Sequence, residues 1–135
     1  MKTGLFSPST LAFMGDSVYS LLVRERLCAV NRPSGALHSM SVKLVNANAQ
    51  AEAYKVIEGM LSETEIDIYK RGRNSHVSAP KNASVADYHS ATGVETLFGY
   101  LYLSGNDARI KELFDIIWSH FSDKLFNEVV LCDKK

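Results

Sequence analysis

Asp16 and Glu95 are the two residues whose surroundings most call for chemistry. Each is a carboxylate set in a helix-compatible run of apolar or small residues, Leu11 to Val23 and Val94 to Leu103. An acid in such a setting loses hydration and must find hydrogen-bond donors, a cationic partner or a metal. If the two carboxylates meet, they repel when both are ionised, and a magnesium ion relieves the repulsion through hard oxygen ligands while keeping exchangeable water. That chemistry suits phosphodiester hydrolysis, in which a cation orients or deprotonates water and stabilises charge on the phosphate and the departing oxygen. The carboxylates are then ligands first and not covalent nucleophiles.

Glycines accompany both acids. Gly15 precedes Asp16, and Gly99 lies four positions after Glu95, on the same side of a helix. A glycine weakens a helix but lets a second backbone approach closely, so a tight crossing of these two helices is expected to bring Asp16 and Glu95 together. Phe13, Val18, Leu21 and Leu22 are expected to face the core from the first helix.

The elements that must position the acids are all helical. Ser7 and Pro8 read as an N-cap and a first-turn proline, with helix to about Ala29. Ser34 to about Met60 favours helix, as one segment or as two meeting near Asn46 to Gln50, and Gly59 marks its end. Ser62 and Glu65 fit a capping box that opens a short helix, which Gly72 ends or loosens. Arg73 to Ala83 reads as an exposed loop. A further helix is expected from Ser84–Asp87 to Leu103, a turn at Ser104–Asn106, and a last helix with Ile110, Leu113, Phe114, Ile117, Trp118, Phe121 and Leu125 on its apolar side. Val129 to Cys132 is expected either to continue or to fold back as a small tail. The fold class is therefore all-α, one compact helical bundle spanning residues 1–135.

At 135 residues and 46% hydrophobic content the chain can bury a genuine core. Fifteen basic and fifteen acidic residues cancel, so overall charge cannot draw a polyanion and any nucleic-acid contact needs a local basic patch. No stretch approaches a membrane span, and Asp16 interrupts what would be the apolar part of a secretory signal, so a cytoplasmic location away from membranes is expected. Cys28 and Cys132 lack metal-ligand spacing and read as reduced, mainly structural thiols. The four histidines, His38, His76, His89 and His120, have no zinc spacing. His89 precedes the Glu95 helix motif and is read as a local structural hydrogen-bonding group, with substrate orientation as its functional alternative. Ser17 has no partners for acyl transfer, and Tyr88, Tyr100 and Tyr102 read as helix-packing residues.

The motifs around the two acids resemble the ribonuclease III catalytic-domain family, in particular its short prokaryotic branch, the Mini-ribonuclease III family. Leu11-Ala12-Phe13-Met14-Gly15-Asp16-Ser17-Val18-Tyr19 is similar to the signature around the catalytic aspartate. Ala91-Thr92-Gly93-Val94-Glu95-Thr96-Leu97-Phe98-Gly99-Tyr100-Leu101-Tyr102-Leu103 is similar to the later catalytic helix, and Ser41 to Asn46 to the middle helix. Arg71-Gly72-Arg73-Asn74, followed by Pro80-Lys81-Asn82-Ala83, marks the short branch. The resemblance spans nearly the whole chain in unchanged segment order. It implies the ribonuclease III endonuclease-domain fold as a homodimer, without a separate double-stranded-RNA-binding domain. It also implies Asp16 and Glu95 as catalytic residues and magnesium ligands.

By the same resemblance the activity is magnesium-dependent hydrolysis of double-stranded RNA, maturing the large-subunit (23S) ribosomal RNA precursor, with ribosomal-protein association as a further expectation. Arg71, Arg73, Asn74 and Lys81 are the expected RNA-binding residues, since cationic groups on a loop can meet phosphates while Gly72 permits backbone movement. Ordinary members of the family carry two further acids, at the positions of Ala12 and Thr92 here. The short branch shares this reduced set. The same departure is the best argument for the alternative, a noncatalytic helical RNA-binding or ribosome-assembly protein.

Overall fold

Ser7 opens the first helix, its Oγ accepting the Thr10 N–H at 3.2 Å while Pro8 takes the first helical position, where a missing N–H is harmless. The computed structural model describes residues 6–75, 78–81 and 84–133, with side chains in the last helix described as far as Leu125. His76, Asn82, Ala83 and the Cys132 side chain therefore lie outside the described residues. Within them the elements are α1 (Pro8–Cys28), α2 (Ser34–Val45), α3 (Ala47–Ile57), a 3-10 turn (Glu58–Met60), α4 (Glu63–Arg73), α5 (Val85–Leu103) and α6 (Asp107–Asp133). The architecture is the expected all-α bundle. No described helix is long and apolar enough to cross a membrane.

Short polar side chains set the boundaries. Asn46 separates α2 from α3 by accepting the Ala49 N–H at 2.8 Å, so the segment from Ser34 is two helices. Ser62 and Glu65 form the complete capping box at the start of α4. Ser84 caps α5, and Gly105, with φ at 74°, turns the chain into α6. The backbone continues as helix through Asp133, so Val129–Cys132 does not fold back.

α5 is the central element, packed against α1, α3, α4 and α6. Val94, Leu97, Phe98 and Leu101 are buried on one side of it and Thr92, Gly93, Thr96 and Gly99 on the others, so α5 is covered around its circumference and its sequence lacks a clear polar face. Tyr19 anchors α1 to this core, meeting the Phe98 and Phe114 rings edge-on at 5.5 and 5.7 Å. The predicted apolar side of α6 is buried, with Trp118 at its margin.

Three expectations need correction. Phe13 and Leu21 do not face the core of this chain; they are 80% and 56% exposed, because the Gly15 side of α1 is the one pressed onto α5. Gly72 neither ends nor loosens α4: it is buried inside the helix, where a Cβ would lie 2.1 Å from Thr96 Oγ1 and 3.0 Å from the Gly93 Cα. Cys28 is a free, exposed thiol rather than a structural one.

Candidate active site

α1 and α5 cross with their backbones in contact. A Cβ on Gly15 would fall 1.6 Å from the Glu95 carbonyl oxygen, and one on Gly99 would fall 1.9 Å from that of Leu11. No side chain but hydrogen fits at either place. The crossing carries Asp16, the next residue after Gly15, to the turn of α5 that bears Glu95. The two carboxyl groups are hydrogen-bonded neighbours.

Their electrostatics are unequal. Asp16 is exposed, contrary to the expectation of a dehydrated acid, whereas Glu95 is half-buried. Burial, then the adjacent Asp16 charge and the hydrogen bond to it, push the Glu95 carboxyl up to about 8. At neutral pH the Glu95 carboxyl of the metal-free protein is therefore mostly protonated. A carboxyl pair in which burial first, and the neighbouring charge second, disfavours full ionisation is one that a divalent cation could bind by displacing the proton. Among the described residues no group of three or more acid, histidine or cysteine side chains assembles, so protein ligands at this place would be these two carboxylates, with water completing the shell as magnesium permits.

Thr92 stands one turn before Glu95 and is buried, its hydroxyl donating to the Tyr88 carbonyl at 3.0 Å. Only the lone pairs of its oxygen are left to orient water. Ala12, one turn before Asp16, offers no ligand. His89 is half-buried, and its Nδ1 is without a protein hydrogen-bond partner, so the expected local bond is not made at that nitrogen. His120 lies elsewhere, 3.3 Å from Glu52. Tyr88 and Tyr100 are half-buried, while Tyr102 is 49% exposed and so only partly a packing residue.

The basic residues are carried to the same part of the bundle by α4. Because Gly72 is seated on Gly93 and Thr96, the flanking Arg71 and Arg73 project from a helical turn that lies against the Glu95 turn of α5. Both are exposed, and they belong to the last turn of α4 rather than to the loop after it. Asn74 caps that helix and accepts the Arg73 Nε–H at 3.3 Å. Ser75 hydroxyl donates to the Gly72 carbonyl at 2.7 Å, so its proton serves the helix end. Lys81 is exposed in the loop.

Two features had no place in the sequence reading. One is the parallel stack of Tyr54 on Tyr69, with centroids 3.6 Å apart, beside Arg73; the four-residue step from Tyr69 to Arg73 was its visible sign. The other is a groove of about 570 Å³ along α1, lined by Met14, Val18, Leu21, Tyr102, Ile110 and Phe114 among others. Its sign was the alternation of apolar residues around, rather than along one side of, α1.

Comparison with known proteins places the chain in a family. A sequence profile of the Ribonuclease III domain matches residues 9–106. The chain is similar to Mini-ribonuclease 3 of Thermoanaerobacter sp. (strain X514), 48% identical over 82% of this chain and 79% of that protein. It is also similar to Mini-ribonuclease 3 of Clostridium tetani (strain Massachusetts / E88), 39% identical over 90% of this chain and 83% of that protein. A crystal structure of a Fusobacterium nucleatum protein superposes with a TM-score of 0.80 and 29% identity, covering 86% of this chain and 94% of that one. With an all-helical bundle, a matched catalytic-domain profile and relatives of this identity over most of its length, the chain belongs to the ribonuclease III family, in its Mini-ribonuclease 3 branch.

Proposed function

We propose that this protein is a magnesium-dependent endoribonuclease that hydrolyses phosphodiester bonds in double-stranded RNA, acting on the large-subunit ribosomal RNA precursor. The observation that carries the reading is the meeting of Asp16 and Glu95 at the Gly15 crossing, where the backbones of α1 and α5 touch. Membership of a ribonuclease family supports the nucleic-acid substrate.

Asp16 and Glu95 would hold the magnesium ion. When bound, such an ion supplies Lewis-acid polarisation of a phosphate and lowers the pKa of water for attack. The remaining work belongs to the chain. Glu95 would hold the ion as a carboxylate, Thr92 would offer an acceptor to water near Glu95, and the exposed Arg71 and Arg73, with Asn74 and Lys81, would meet phosphates and ribose hydroxyls of an A-form duplex.

The substrate has two strands, and a twofold assembly repeats one cutting centre across them. A second copy of this chain is the natural cover for the face of α1 that exposes Phe13 and Leu21 next to the apolar groove. An interface including Phe13 would also set the spacing of the two centres, because Asp16 lies on the next turn of the same helix. Cytoplasmic location and contact with ribosomal proteins follow from the proposed substrate.

The test is incubation of purified protein with magnesium and three substrates of matched length: an RNA duplex, its single strands and the corresponding DNA duplex. Cleavage of the RNA duplex alone supports the reading. RNA association with no magnesium-dependent scission would instead establish the noncatalytic alternative, for which Ala12 and Thr92 remain the sequence argument.

A further inference from the structure

Tyr69 is held from several directions, and the residue one turn beyond it is an arginine that reaches solvent. Tyr54 from α3 stacks on the Tyr69 ring with an interplanar angle of 4°. The Tyr69 hydroxyl is 2.8 Å from the Ser90 hydroxyl of α5. Its ring edge fills the space beside Gly93, where a Cβ would come within 2.5 Å. Tyr69 is consequently buried and tied to the helix that carries Glu95. The guanidinium carbon of Arg73 lies 5.7 Å from the Tyr69 ring centroid, over the ring, while Arg73 Nε donates to Asn74 Oδ1. An arginine four residues on is in register for this contact, and the ring's negative face attracts the cation.

We propose that Tyr69 is a positioning residue for RNA binding: anchored to α5 through Ser90 and Gly93, its ring holds the exposed Arg73 guanidinium at a fixed offset from the acidic pair, ready for a duplex phosphate. This rests on the double-stranded-RNA reading above. A guanidinium biased toward one placement loses less freedom when it binds, and the Tyr69 ring and Asn74 Oδ1 supply two contacts that bias it here. If Tyr69 served only to fill the bundle, the electrostatic character of its ring would be immaterial to RNA.

The experiment therefore changes the ring's charge distribution and not its shape. Tyr69→Phe is compared with replacement of Tyr69 by pentafluorophenylalanine, which reverses the ring quadrupole at nearly constant volume. Binding to a short RNA duplex is measured across a salt series in magnesium-free buffer, with thermal melting to show that each variant is folded. The fluorinated variant is expected to bind about three- to fivefold more weakly than the phenylalanine variant, the scale of an exposed cation–π contact. With magnesium added, KM is expected to rise by the same factor while kcat is unchanged.

Arg73→Ala should weaken binding and reduce the salt slope by about 0.7–0.9. In that background the two ring variants should bind alike. Equal binding by the two ring variants with Arg73 present would overturn the positioning role, as would a difference that persists once Arg73 is gone. If Arg73→Ala leaves affinity and salt slope unchanged, or the unaltered protein does not bind the duplex, the RNA reading falls and this role with it. A result confined to the ring variants leaves that reading standing.

Discussion

The carbonyl oxygen of Glu95 occupies the place where a side chain on Gly15 would begin, at 1.6 Å from an ideal Cβ. The catalytic proposal thus depends on a residue that has no functional group. Gly15→Ala should force α1 from α5, destabilising the protein by about 2 kcal/mol or more and separating the two acids. Gly35, in α2, has nothing within 4 Å of a Cβ, and Gly35→Ala should be neutral or stabilising by up to about 1 kcal/mol. Urea unfolding of both variants checks the contrast; similar effects would contradict the close crossing.

The raised Glu95 carboxyl makes metal binding pH-dependent. Below about 8 the group is protonated in the metal-free protein, so binding must expel a proton, and apparent affinity should weaken by up to about tenfold per unit as pH falls through neutrality. Calorimetry in buffers of different ionisation enthalpy should show close to one proton released at pH 6 to 7 and progressively less above about 8. The stability of the metal-free protein should carry the opposite sign to an ordinary paired acid. Between the unfolded value near 4.5 and about 8 the native state binds the extra proton, so this contribution is full at the acid end and is lost as pH rises.

Glu65 is 6% exposed and both its oxygens are used, one in the capping box and both by Arg109, at 2.8 Å from Nε and 2.8 Å from Nη2. Arg109 also donates to the Met60 carbonyl at 2.7 Å and pairs with Glu112, tying the start of α6 to the start of α4. The Arg109 hydrogen bond, more than any other influence, holds the Glu65 carboxyl below its usual range. Arg109→Ala should destabilise by about 3 kcal/mol because it leaves a buried carboxylate unpaired. Removing both with Glu65→Gln in the Arg109→Ala background should recover part of that loss, as chemical denaturation would measure.

Phe13→Glu should abolish self-association without disturbing the fold, since Phe13 is 80% exposed and its replacement meets no core atom of its own chain. Sedimentation should show a single-chain species with an unchanged melting profile. A variant that sediments as the unaltered protein does would remove Phe13 from the interface.

Most helix boundaries were legible because they are written in local chemistry: Ser7 with Pro8, Asn46, the Ser62–Glu65 box and Ser84 each satisfy backbone groups within a few residues. The meeting of Asp16 with Glu95 was also legible, since a glycine beside each acid implied a close crossing. What misled was the inference from residue type to environment. Phe13 and Leu21 look like core residues, and nothing local says that α1 turns them outward. Gly72 looks like a helix breaker, and its role as a seat on Gly93 and Thr96 arises only when α4 docks on α5. The Glu65–Arg109 clamp joins residues 44 apart and leaves no trace in local pattern.

Single-turnover cleavage of an RNA duplex at saturating magnesium is the most direct test of the paired-carboxylate centre, comparing the unaltered protein with Asp16→Asn, Glu95→Gln and the double variant. Two residues acting as one ligand set predict that each single change lowers the rate by about a hundredfold or more and that the double variant is little slower than either single one. Folded single variants that cleave at the unaltered rate, or losses that simply multiply in the double variant, would contradict a shared centre.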